Sequence, residues 1–108
     1  MIKAGDLRER VRLELLVDPD DGRGGQAESW ALVTDLWASV LPTGGRETLE
    51  GGALTGVQGW RVRIRWRAGV SVRHRFVWRG RQLNIRSVED PDGRRQELLA
   101  FCESGVAQ

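Results

Sequence analysis

His74 and Cys102 are the only histidine and the only cysteine in the chain, and they are the one pair with the makings of nucleophilic catalysis. A thiol beside an imidazole can be deprotonated and attack an electrophilic carbon. Cys102, however, sits in Leu98-Leu99-Ala100-Phe101-Cys102, a strand-like apolar run in which a thiol serves as a small hydrophobe. A zinc site needs about four nitrogen or sulfur ligands, and only these two exist. Asp18, Asp20 and Asp21 form an acidic turn, but no further ligands follow at EF-hand positions, so a solvated turn is the reading. Gly22-Arg23-Gly24-Gly25 lacks the Lys-Ser/Thr that makes a phosphate-binding loop. With no tyrosine either, the expectation is a protein that is not an enzyme, with no catalytic, cofactor-binding or metal-binding residues and no cofactor.

Charge is the other chemistry on offer. The chain carries 17 cationic residues and a net charge of only +2, yet Lys3 is its one lysine. Arginine suits fixed bidentate contacts to carboxylate or phosphate better than lysine does, although a GC-rich coding genome yields the same bias. Arg61, Arg63, Arg65 and Arg67 stand at every second position of one segment. Like charges on one strand face repel unless compensated. Carboxylates of an adjacent strand or subunit, water, or DNA phosphates would each serve.

These side chains must be positioned by strands, because period-two alternation is the dominant pattern. Arg10 to Leu15 alternates cleanly, followed by turn chemistry from Asp18 to Gly25. A second strand is expected from Asp35 to Pro42, with Leu36, Ala38 and Val40 on one face, and Trp30 to Thr34 as its start or an extension. Thr43 to Gly59 holds so many glycines that an extended mobile loop is expected, with at most one helical turn at Arg46 to Glu50. Trp60 to Arg67 is the clearest strand, placing Trp60, Val62, Ile64 and Trp66 in the core and four arginines opposite. A hairpin from His74 to Trp78 and Gln82 to Val88 turns at Arg79-Gly80-Arg81, and a last strand runs from Gln96 to Cys102. The fold class is therefore all-β, mainly antiparallel: a small barrel of about six strands with a long glycine-rich loop.

At 108 residues this is one domain, able to bury roughly 65% of its unfolded surface. No apolar run approaches the ~20 residues of a membrane span, and the N-terminus lacks a secretory signal, so a cytosolic, soluble protein is expected.

The order of segments resembles phage head–tail joining (head-closure or stopper) proteins. Gly5-Asp6-Leu7-Arg8-Glu9-Arg10-Val11 is similar to their "G-x-L-x-x-R-hydrophobic" opening. Gly24-Gly25, Trp30 and Leu36-Trp37-Ala38-Ser39-Val40 follow in the family's order, then a "G-R-E" box at Gly45-Arg46-Glu47. Val62 to Val70 matches the arginine-alternating strand, Arg79 to Val88 the "G-R-x-hydrophobic-x-I-x-x-V" segment, and Leu98 to Glu103 the ending. The family often has an aromatic after "G-R-E", whereas Thr48 and Leu49 stand here. The likeness spans nearly the whole chain.

The resemblance implies a structural ring subunit at the neck of a tailed phage, prophage or gene transfer agent particle. Its partners would be further copies of itself (6 or 12), the head adaptor of the portal vertex, tail terminator or tail-tube proteins, and packaged double-stranded DNA contacted non-specifically. It implies that the loop faces the channel, with Gly44, Gly45, Arg46, Glu47, Glu50, Gly51 and Gly52 supplying a gate. Arg61, Arg63, Arg65 and Arg67 are then candidates for DNA or subunit contact, and Trp37 for an interface, where Trp is enriched. Two other readings are a single-stranded nucleic-acid binder with an OB-like barrel and a tail-side ring protein. The first is disfavoured because Trp and Arg alternate onto opposite faces, separating a stacking platform from the charge.

Overall fold

The computed structural model describes residues 7–17, 29–50 and 53–105, with residues 46–50 and 53–55 described as backbone alone. The acidic turn at Asp18, Asp20 and Asp21, the Gly22–Gly25 loop, and Gly51 and Gly52 lie outside the described residues. Six strands form: β1 (Glu9–Val17), β2 (Ser29–Glu50), β3 (Ala53–Arg65), β4 (His74–Trp78), β5 (Arg81–Glu89) and β6 (Glu97–Gly105). They close a barrel in the order β1-β2-β3-β6-β5-β4, and every pairing is antiparallel. The all-β barrel expected from alternation is the fold observed.

Alternation builds the wall directly. Val11 and Leu13 of β1, Trp60, Val62 and Ile64 of β3, Phe76 of β4, Leu83 and Ile85 of β5, and Leu98, Ala100 and Cys102 of β6 all enter one core. Phe76, the largest of the fully buried side chains, contributes about 3 kcal/mol by burial. A two-residue hairpin loop of type I′ demands positive φ at both central positions. Arg79 (φ 51°) and Gly80 (φ 77°) supply it, so β4 turns straight into β5 with Trp78 opposite Arg81.

Bulges adjust the faces. The β1–β2 register shifts between Leu13 and Glu14, leaving Val33 of β2 without an opposite residue. An extra residue on one strand bends it and re-aims its neighbours. As a result Leu13 and Glu14, adjacent in sequence, are both buried.

Two expectations are corrected. Trp66 is not core: it is 36% exposed. The alternation that places Trp60, Val62 and Ile64 inside holds only while the strand lasts, and β3 ends at Arg65. The chain then turns at Gly69 (φ 88°) while the Trp66 amide bonds to the Gln96 carbonyl. The glycine-rich excursion from Thr43 to Gly59 is not an irregular loop with a helical turn. Its backbone is a β-ribbon, registered from Gly44↔Gly59 to Glu50↔Ala53. Among the described residues, β3 has no β6 partner beyond Val57, and β1 pairs with β2 only as far as Ala38. Residues 47–50 and 53–56 therefore pair only with each other among the described residues, as a two-stranded ribbon roughly 13 Å long at ~3.3 Å per residue. Backbone pairing, which glycines provide as well as any residue, is what registers its two arms.

Candidate assembly surfaces

The root of the ribbon is closely built. Thr43 is bulged out between the pairs Pro42↔Trp60 and Gly44↔Gly59, and Gly44 adopts φ +115°, a value L side chains rarely reach. Gly59 has no room for a side chain, since an added Cβ would collide with Thr43 Oγ1 and lie 3.2 Å from the Gly44 carbonyl oxygen. The Gln58 side chain spans the gap, its Nε2 donating to the carbonyls of Gly44 (3.0 Å) and Gly59 (2.9 Å). Of the expected channel residues, Gly44 and Gly45 lie at this root. Arg46, Glu47 and Glu50 lie along the ribbon backbone, opposite Val57, Gly56 and Ala53.

Beside the root the barrel mouth is filled by aromatic rings. Trp60 and Trp78 meet edge-on with centroids 5.3 Å apart, a favoured arrangement for quadrupolar rings. The Trp60 indole donates to Ser104 Oγ at 2.9 Å, and Trp78 donates to Glu9 Oε1 at 2.8 Å. Arg79 reaches the same Glu9 oxygen at 3.0 Å. The Arg81 guanidinium lies 5.1 Å from the Trp60 ring centroid and 6.0 Å from that of Trp78. Trp78 is not singled out by the sequence alone, and neither are Glu9, Arg81 and Ser104. Their only sequence signal is a polar residue near a strand end.

The four arginines of the expected face have different fates. Arg61 lies 5.9 Å from the Phe101 ring centroid, and Arg63 is 3.7 Å from the Glu97 carboxylate on the paired strand. Arg65 and Arg67 line an open groove with Trp37, Trp66 and Leu36. Neither has a carboxylate partner among the described residues. A uniform like-charged face is therefore corrected: one arginine is paired, one covers an aromatic ring, and two remain available. Trp37 is 54% exposed, with Arg10 5.2 Å from its ring centroid. Asp35, close by, is 4.0 Å from Arg10 and 3.9 Å from Arg12.

The candidate nucleophile pair is not assembled. His74 and Cys102 stand on strands that flank β5, two spacings or roughly 10 Å apart. The His74 Nδ1 accepts from the Ser71 amide at 3.2 Å. Burial pushes the Cys102 thiol up to about 12, so it is protonated and unreactive near neutrality. Among the described residues no three His, Cys, Asp or Glu side chains converge as metal ligands.

A strand-only barrel whose polar clusters tie its own wall together, with a free ribbon and exposed tryptophan and arginine at the rim, defines a small β-barrel assembly protein. Residues 2–105 match the phage head completion protein family, and the chain belongs to that family. It is 32% identical over 112 residues to head completion protein gp7 of Enterobacteria phage HK97, across 97% of this chain and 98% of that one. A chain in the virion of a native gene transfer agent particle shares the fold, with a TM-score of 0.81 at 22% identity over 94% of this chain and 97% of that one. Protein SF1141 from Shigella flexneri 2a, solved in solution, gives a TM-score of 0.70 at 28% identity over 99% of this chain and 100% of that one. The chain is a virion structural protein of the head-completion type.

Proposed function

We propose that the chain is a head-closure ring subunit at the particle neck. It sits between the head adaptor of the portal vertex and the tail terminator or tail-tube proteins, in a tailed phage, prophage or gene transfer agent. Six or twelve copies surround the channel, and the ribbon of each points inward to help retain packaged double-stranded DNA. The role is mechanical and calls for no reaction and no cofactor.

The observation that carries this reading is the free ribbon of residues 47–50 and 53–56, anchored by a glycine root on a closed barrel. A ribbon that runs on past the pairing of β2 with β1 and of β3 with β6 is an element that several copies can bring together at an axis. Gly44, Gly45, Arg46, Glu47, Glu50, Gly51 and Gly52 make up this channel element. Of Arg61, Arg63, Arg65 and Arg67, the last two are the ones free to meet DNA or a neighbouring protein of the particle at the wall, while Arg61 covers Phe101 and Arg63 pairs with Glu97. Any phosphate contact there is non-specific and weakens steeply with salt.

The test shortens the ribbon by deleting residues 47–56 and joining its arms with a two-residue turn, leaving the barrel intact. Particles should assemble but lose DNA. Particles that keep their DNA overturn the gate, and a variant or wild-type chain missing from the neck overturns the head-closure role.

A further inference from the structure

The barrel leaves one long strand edge open. β2 begins at Ser29, but its pairing with β3 starts only at Ser39↔Arg63. From Ser29 to Leu36 the strand is held on one side by β1, and its other side meets no strand among the described residues. The backbone bonds outside the ladders do not use this edge either. Leu32, 59% exposed, and Trp37, 54% exposed, stand along it. An exposed apolar edge whose amides and carbonyls meet no strand among the described residues is a template for another strand, which soluble proteins ordinarily blunt with charge, proline or cover.

What belongs there follows from the groove beside it. Where β3 would have continued, the chain turns away after Arg65, and the vacated lane is lined by Trp37, Trp66, Arg65 and Arg67, together with Asp35, whose carboxylate is held by Arg10 and Arg12 and not by the two lane arginines. The two arginines have no carboxylate among the described residues, so the lane favours an occupant that brings its own. Main-chain groups at the edge favour a polypeptide over a nucleic acid, which cannot supply alternating N–H and C=O groups. A second copy of this chain is a poor donor. Among its described carboxylates, Glu9, Glu14, Asp35, Glu97 and Glu103 are engaged with its own arginines. Asp90 and Asp92 accept backbone amides of their own turn, and Glu89 is held in the β5–β6 pairing of the wall, so none lies on an extended segment free to add as a strand.

We propose that the Ser29–Leu36 edge and its groove receive an extended, carboxylate-bearing segment of a different virion protein, added to β2 as an extra strand in the lane that β3 vacates. Strand addition of this kind draws affinity from backbone hydrogen bonds and selectivity from alternate side chains. This inference rests on the chain being a particle component, and it names a partner that the channel role leaves open.

The experiment uses assembled particles in which this chain carries a benzophenone photo-crosslinker in place of Leu32. Irradiation should join position 32 to one segment of another virion protein that contains Asp or Glu, identified by mass spectrometry. Introducing Arg65→Glu with Arg67→Glu should cut the crosslink yield at least tenfold, while a control crosslinker at Val72, also exposed, stays unaffected. Crosslinking to a second copy, to DNA, or to nothing overturns the proposal, as does an unchanged yield after charge reversal. Absence of the chain from particles is a separate result, which overturns the head-closure role itself.

Discussion

Glu14 and Arg75 are opposite residues across the β1–β4 seam, and the Arg75 Nε donates to Glu14 Oε1 at 2.8 Å. Both side chains are nearly buried, at 12% and 14% exposure, and the same guanidinium lies 4.1 Å from the Trp30 ring centroid. The seam pairs only Arg12 to Leu15 with Val77 to His74, so this ion pair sits in a join of just four residue pairs, as short as that between β4 and β5. Removing one partner strands a desolvated charge. Glu14→Ala should cost about 3 kcal/mol in urea unfolding. The double variant with Arg75→Leu should cost less than the sum of the two single changes.

Gly59→Ala should destabilise the barrel by about 1–3 kcal/mol, the usual cost of forcing atoms into a packed site. The added methyl meets Thr43 Oγ1 and the Gly44 carbonyl oxygen. Thr43→Ala removes the first obstacle but not the second, so rescue should be partial. Thermal unfolding of the single and double variants checks both statements.

Burial above all holds His74 below its ordinary range near 6.5; the Ser71 backbone contact opposes it, and the charges of Arg67 and Arg73 reinforce it. As pH falls through about 6.5 the unfolded chain takes up the proton first, so it binds more protons than the folded chain. The contribution to stability is present above that pH and lost below it. A urea midpoint series from pH 8 to pH 5 should fall on the acid side, and His74→Gln should flatten the fall.

Cys102 faces the core beside Trp60 and Ile85, with its thiol pushed up to about 12. A thiol reagent at pH 8 should leave the folded protein unmodified and react fully in denaturant. Rapid modification of the folded chain would mean that β6 opens under native conditions.

Much of this architecture was legible because a buried face leaves a period of two in the residues that line it. Val11 and Leu13, Trp60 to Ile64, and Leu98 to Cys102 all announce their strands this way. The ribbon was not legible, because residues 47–56 carry no run of alternating apolar and polar residues. The Gly51-Gly52 pair between two short arms is a hairpin signal in its own right, which a count of glycines as loop formers obscured. Trp66 was misread because alternation carries no mark of where a strand stops. Arg63 and Glu97 stand 34 positions apart, and only the β3–β6 register brings them together. The split between engaged and available arginines therefore belongs to topology and not to local sequence.

The order of strands around the barrel also has a consequence for synthesis. The hairpins β2–β3 and β4–β5 do not touch each other in the wall; β6 inserts between them and is the last strand of the six. While the chain grows on the ribosome, the inner faces of both hairpins must wait for this keystone, exposing Val62, Ile64, Leu83 and Ile85. Nascent chains halted before Leu98 should be sticky substrates for chaperones, and the cylinder should close only once β6 is available to both hairpins.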